Sequence, residues 1–149
     1  MITETEAYIG EDDLACHASK GRTPRTEIMY GEAGRAYVYM IYGVYHCLNI
    51  VTEKKDFPAA VLIRGIKIEN NPPLLNKERV EARLDGPGKL CKFLKIDRKL
   101  NKLDLTKREK LWIEKGIKIK SSEIKKSKRI GVDYARHCRH YLWRFHENI

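Results

Sequence analysis

The sequence predicts an α+β fold: a single domain over residues 1–149, with a mainly antiparallel sheet, a protruding β-hairpin and a few short helices. Three observations carry that expectation. β-prone runs recur over residues 2–9, 37–51, 59–68 and 141–145, the helix-prone segments between them are short, and Gly or Pro punctuates most of the junctions. No internal repeat or low-complexity segment interrupts the pattern.

A chain of 149 residues is long enough to bury about two-thirds of the surface its unfolded form exposes. With 42% hydrophobic and 34% charged residues it reads as a soluble globular protein, and no apolar run approaches the ~20 residues of a membrane span. Nothing at the N-terminus resembles a signal peptide, so a cytoplasmic or nucleoid location is expected. The 30 Lys plus Arg against 20 Asp plus Glu give a net charge of +10, which makes a polyanion the natural partner. Charge alone does not separate nucleic acid from an anionic membrane face. Cys16, Cys47, Cys91 and Cys138 form no C-x-x-C pair and are most simply buried thiols. His137 and His140 flank Cys138, yet further ligands at suitable spacing are missing, so a metal is not expected.

In chain order, Ile2 to Ile9 alternates as a strand with Glu4 and Glu6 on one face. Solvation is the ordinary fate of such carboxylates. At the very terminus this strand has one edge unpaired and is expected to fray. His17 follows the acidic turn that begins at Glu11. The segment from Lys20 to Arg25 is loop chemistry, and its Arg22 and Arg25 suit phosphate groups, although a solvated basic loop explains them equally.

Residues Tyr37 to Val51 hold half of the chain's 8 tyrosines within a Val- and Ile-rich run, read as a hairpin turning near Ile41 to Gly43. Tyr37 and Tyr39 then share one face, and Asn49 lies on the returning strand. Tyr37 and Tyr45 are best explained as core. Tyr42, at the tip, has little core to enter and reads as a residue that contacts a partner.

Ala59 to Ile68 is a strand apolar enough to be central, with Arg64 in its middle. A buried Arg needs an acceptor, and Glu6 is available either as a structural partner or as half of a catalytic pair. Asn76 to Arg83 is charged and helix-prone. Pro87 opens a helix carrying Leu90, Phe93 and Leu94 inward, with Lys89 near its free N–H groups as a phosphate seat. Leu111 to Ile113 reads as a short strand with Trp112 in the core. Residues 115–129, with six Lys and one Arg, form an exposed basic edge, Arg129 to Val132 a tight turn, and Tyr141 to Phe145 a closing strand.

The motifs Glu4-Thr-Glu-Ala-Tyr8, His17, Gly21-Arg-Thr-Pro-Arg25, Tyr37-Val-Tyr39, Ile41-Tyr-Gly43, Cys47-Leu-Asn-Ile50, Val61-Leu-Ile-Arg64, Gly86-Pro-Gly-Lys-Leu-Cys91 and Arg129-Ile-Gly-Val132 occur in an order that closely resembles the alkyladenine (3-methyladenine) DNA glycosylase family. The resemblance implies a monofunctional repair enzyme that flips an alkylated or deaminated purine out of duplex DNA and hydrolyses its N-glycosidic bond. It further implies Glu6 as general base with Arg64 helping to hold the water. Tyr8, His17 and Tyr39 become walls of the base pocket, Asn49 a residue that disfavours guanine, and Tyr42 a wedge in the vacated stack. Arg22, Arg25 and Lys89 would meet the DNA backbone. No metal or cofactor is implied, and the protein is expected to act on double-stranded DNA containing damaged purines as a monomer. Family members carry a segment before the Glu-Thr-Glu-Ala-Tyr strand, and here Met1 stands almost directly before it, so either the start has been placed too late or the protein is a shortened form. A non-catalytic DNA-binding module, or an RNA-binding protein, would also account for the basic charge.

Overall fold

The computed structural model describes residues 1–68 and 82–147. Among them, seven strands form one sheet: β1 (Ile2–Ile9), β2 (Ala36–Ile41), β3 (Tyr45–Val51), β4 (Ala59–Ile68), β5 (Ala82–Asp85), β6 (Ile124–Ser127) and β7 (Arg144–Glu147). The order across the sheet is β2-β3-β4-β1-β7-β6, with β5 also pairing with β4, and every pairing is antiparallel. The helical content of the described residues is α1 (Pro87–Phe93) and five short 3-10 turns. This is the α+β architecture the sequence predicts.

Successive strand residues point to opposite faces, and that alternation separates core from site. On one face Val38, Leu48 and Ile63 pack with Leu90 and Cys91 of α1 and with Ile96 and Leu105. On the other face stand Glu6 and Tyr8 of β1, Tyr37 and Tyr39 of β2, Cys47 and Asn49 of β3, and Leu62 and Arg64 of β4. Residues 13–30 and 129–138 fold over this second face through two smaller clusters, one around Met29, Tyr37 and Val51, the other around Ala15, Val132 and Cys138. The outer edge of β2 is closed by the chain itself: Ala36 donates to Leu103 O and accepts from Lys102 N, while Val38 N donates to Asn101 Oδ1. At the opposite edge β6 displays Lys125 and Lys126 to solvent, where charge discourages further strand pairing.

Several local expectations are corrected. β1 is not an edge strand, because β7 pairs with Glu4, Thr5 and Glu6 on the side away from β4. Of the helix expected over Asn76 to Arg83, residues 76–81 lie outside the described residues, and Ala82 and Arg83 belong to β5. In α1 only Leu90 and Cys91 are buried; seven residues present too little surface to bring Phe93 and Leu94 inward as well, and both are exposed. Leu111 to Ile113 forms no strand, and its backbone reaches the sheet region through Ile113 N to Leu105 O, leaving Trp112 at 43% exposure. Tyr45 sits just past the hairpin turn, half exposed against Gly88, where a Cβ would come within 2.9 Å of its ring. The closing strand starts three residues later than the alternation suggests, and runs over Arg144–Glu147. All four cysteines are buried free thiols.

Candidate active site

The polar face of the sheet forms the floor of a cavity of about 310 Å³, lined chiefly by Tyr8, His17, Tyr37, Tyr39, Asn49, Leu62, Arg64 and, from the covering segment, Ile130 to Val132 and Tyr134. The structure thus gathers Tyr8, His17, Tyr39, Asn49, Tyr42 and Arg64 into one lining, with Glu6 directly beneath. Arg22, Arg25 and Lys89 are not part of it.

Glu6 has no solvent exposure. An isolated buried carboxylate is costly, and two donors and a cation answer that cost: Tyr8 OH donates to Oε2 at 2.7 Å, Ile130 N donates to Oε1 at 2.8 Å, and Arg64 Nε stands 3.3 Å from Oε1. Arg64 makes its shorter contact elsewhere, 2.8 Å to Glu4 Oε1, and Arg144 of β7 reaches the same oxygen at 2.7 Å. The pair anticipated between Glu6 and Arg64 is therefore part of a four-residue ladder of alternating charge. Burial would raise the Glu4 carboxyl, but the hydrogen bonds from Arg144 and Arg64 outweigh it and hold that group below the usual carboxylate range.

The register explains how one guanidinium meets both carboxylates. Glu4 pairs with Gly65 and Thr5 with Ile63, so Arg64 is the extra residue of a bulge and has no partner across the ladder. Bulges re-aim side chains beside sites. Gly65 permits the close approach, since a Cβ there would meet Thr3 Oγ1 at 2.9 Å and Glu4 Cβ at 3.0 Å.

The aromatic walls pack against one another, His17 edge-on to Tyr39 and Tyr37 tilted against it. His17 and Tyr39 have ring centroids 4.7 Å apart, and Tyr37 lies 5.2 Å from Tyr39. His17 Nδ1 and Tyr37 OH are 2.7 Å apart. Burial, and then the positive charges of Arg25 and Lys20, bring the His17 imidazole down to about 4, so the ring is neutral near pH 7. Burial and the neighbouring Glu6 carboxylate push the Tyr8 phenol well above its ordinary value, so Tyr8 is a donor to Glu6 throughout the working range. Asn49 is buried, and its Nδ2 donates to Tyr37 O at 3.1 Å, which fixes the amide on the cavity floor.

At the cavity mouth the hairpin turns through Tyr42 and Gly43, both with positive φ (51° and 71°). A non-glycine residue in that region is uncommon outside tight turns and functional sites. Tyr42 is 88% exposed. The loop arginines differ from one another: Arg22 is held by Glu27 and Asp56 at 2.8 and 2.9 Å, whereas the Arg25 guanidinium lies 5.4 Å from the Tyr39 ring at the rim. Lys89 is exposed on the first turn of α1.

Arg129, expected on the basic edge, is instead buried and bonded to Asp13. The reading of residue types gave no role to Asp13 or to the Ile130 amide. A backbone N–H has no signature in a side-chain pattern, and Asp13 sits in an acidic run where solvation is the ordinary expectation. Among the described residues no group of three or more His, Cys, Asp or Glu is placed to hold a metal ion, and no helix is long and apolar enough to cross a membrane.

Residues 1–148 match the family model described as Methylpurine-DNA glycosylase (MPG). The chain is 48% identical over 151 residues to a protein of Methanocella arvoryzae, covering 98% of this chain and 74% of that one. It is 60% identical over 106 residues to one of Sodalis glossinidius (71% and 58%) and 50% identical over 135 residues to one of Myxococcus xanthus (90% and 66%). Each of the three carries the name "Putative 3-methyladenine DNA glycosylase". The chain spans between 58% and 74% of the lengths of these relatives. By the extent of the family match and the identity to these relatives, the chain belongs to the methylpurine-DNA glycosylase family.

Proposed function

We propose that the chain is a monofunctional purine DNA glycosylase that flips alkylated or deaminated purines, of the 3-methyladenine, hypoxanthine and ethenoadenine class, out of duplex DNA and releases them by hydrolysis. The observation that carries the reading is the fully enclosed Glu6 carboxylate under an aromatic cavity, with Arg64 3.3 Å from it. A water held by Glu6 and Arg64 attacks C1′ of the flipped sugar from the side opposite the purine. The C1′–N bond breaks with its electron pair leaving on the base, Glu6 accepts the proton of the water, and an abasic site and free purine result. A cationic alkylated purine leaves as a neutral base; a neutral purine must also take up a proton. None of the described residues lining the cavity is a lysine whose amine would form a Schiff base, which supports simple hydrolysis.

The remaining residues take roles that their surroundings favour. Tyr8, His17 and Tyr39 sandwich the base, and electron-rich faces attract a purine made cationic by alkylation by about 1 to 2 kcal/mol when desolvated. Asn49 crowds the exocyclic amino group of guanine. Tyr42, exposed on a strained turn, fills the stack that the flipped nucleotide leaves, offsetting part of the few kcal/mol of unstacking. Arg25 and Lys89 are accessible to phosphates, and Arg22 joins them by exchanging its carboxylate partners. With a net charge of +10, affinity for undamaged duplex should fall with log[salt] with a slope of about 0.9 per phosphate contact.

The deciding experiment is abasic-site formation on hypoxanthine- and alkylpurine-containing duplexes under single-turnover conditions. Lesion-dependent strand scission after alkali is the expected result. Tight duplex binding with no abasic product would instead favour a non-catalytic DNA-binding protein.

A further inference from the structure

Against the Tyr8 ring, outside the cavity lining, stands an ion pair that the hydrolysis does not use. The Arg129 side chain is fully enclosed. Its guanidinium stands 4.8 Å from the Tyr8 ring centroid and 5.1 Å from that of Trp143. Asp13 takes both terminal nitrogens, Nη1 at 2.5 Å and Nη2 at 2.8 Å, and the carbonyls of Ala7 and Cys138 accept the remaining bonds. Arg129 Nε is buried with no partner. Neither Arg129 nor Asp13 lines the cavity, while Tyr8 does.

For stability alone this arrangement is a poor choice. An enclosed ion pair with one orphaned N–H is commonly matched or surpassed by an apolar filling of the same volume. Its position has an electrostatic consequence instead. A cation against one face of a tyrosine ring opposes the attraction that the other face exerts on a cationic ligand, and it acts at a range where charges inside a protein still interact appreciably. Asp13 cancels that opposition as long as it remains ionised and paired. We propose that the Asp13–Arg129 pair is a specificity-determining device: Arg129 braces the Tyr8 ring, and Asp13 neutralises it so that the cavity still accepts purines carrying a positive charge.

The pair acts through Tyr8, and so both members are positioning residues rather than catalytic ones. Arg129 also precedes Ile130, whose N–H bonds Glu6, so loosening the pair should slow every substrate to some extent. The charge effect is separable from that general slowing because it falls unequally on cationic and neutral purines. The inference rests on reading the cavity as a purine site.

The test compares single-turnover release of 3-methyladenine from methylated duplex with release of hypoxanthine from a matched duplex. Both are measured at one pH and salt for the parent, Asp13→Asn, Asp13→Glu and Arg129→Met, with thermal unfolding run in parallel. Asp13→Asn uncovers the cation and should lower the ratio of 3-methyladenine to hypoxanthine release on the order of tenfold. Asp13→Glu, which keeps the charge, should return the ratio toward the parent even if both rates are reduced. Arg129→Met leaves only the negative charge and should shift the ratio the other way. An unchanged ratio in Asp13→Asn, or equal loss on both duplexes, overturns the proposal. Should Asp13→Asn not be recovered folded, Arg129→Met decides: a raised ratio supports the proposal and a flat or lowered one overturns it. A parent that releases neither base would overturn the glycosylase reading itself, whereas an active parent with ratios insensitive to these variants overturns only this inference.

Discussion

Tyr39 and Tyr42 stand three residues apart on the same hairpin and are held in opposite ways. Tyr39 is fixed by its neighbours: His17 meets it edge-on, Tyr37 packs against it at a tilt, and Arg25 lies over its ring. Tyr42 has almost no neighbours and is aimed by its backbone alone, through a left-handed residue at the turn. The difference teaches where a substitution will be felt. In the cavity each group is also a partner of another, so removing one disturbs several. At the tip, a side chain can be removed with the fold left as it was.

The largest effect should come from breaking the interior ladder. Arg64→Met leaves Glu6 facing Glu4 with only Arg144 to compensate, and loss of one member of a buried ionic set costs roughly 3 kcal/mol or more. Urea unfolding should show that loss as a lower midpoint with unchanged slope. Next is the carboxylate beneath the cavity: Glu6→Gln keeps size and hydrogen bonding yet accepts no proton. Excision should fall at least ~100-fold while lesion binding stays near the parent. Near-normal excision would move the role to another group, Glu4 first.

The tip supplies the contrast. Tyr42→Ala should weaken lesion-duplex binding by between ~1 and ~3 kcal/mol, the worth of one aromatic stack, and leave the melting temperature in place. A lowered melting temperature with lesion binding intact would show that Tyr42 belongs to the fold after all. The smallest effect sharpens the cavity side by pH. His17 is lowered in the folded state to about 4 by burial and by Arg25 and Lys20, so between that value and its unfolded value of about 6.5 the unfolded chain binds the extra proton. Stability should therefore fall as pH drops through this window. Allowing for partial solvent access, the loss is roughly 1 kcal/mol, and His17→Phe should flatten the curve.

What the sequence made legible follows from the same contrast. Alternation placed Glu4 and Glu6 together on β1, and Tyr37 and Tyr39 together on β2, because a strand's period is a local property. The hairpin turn was legible from Tyr42-Gly43, since only a few residue types accept the left-handed backbone. The partners that come from afar were not. Nothing near Ile2 to Ile9 announces that β7 will cover its second edge, that Arg64 will lean toward Glu4, or that Arg129 will leave the basic tract to pair with Asp13. Exposed apolar residues misled for a related reason. Trp112, Phe93 and Leu94 look like core by type, but all three are exposed, and the cluster on that face is made by Leu90, Ile96 and Leu105 instead.

The position of β1 between β4 and β7 also sets an order of events during synthesis. Glu4 receives its bond from Arg144 across 140 residues of chain, and translation proceeds at about 5 to 20 residues per second. For on the order of ten seconds, then, the strand bearing Glu4 and Glu6 exists while its second neighbour has yet to be made. In that interval the nascent polypeptide has no closed site, and it offers an open strand edge to any chaperone or sticky companion that arrives first.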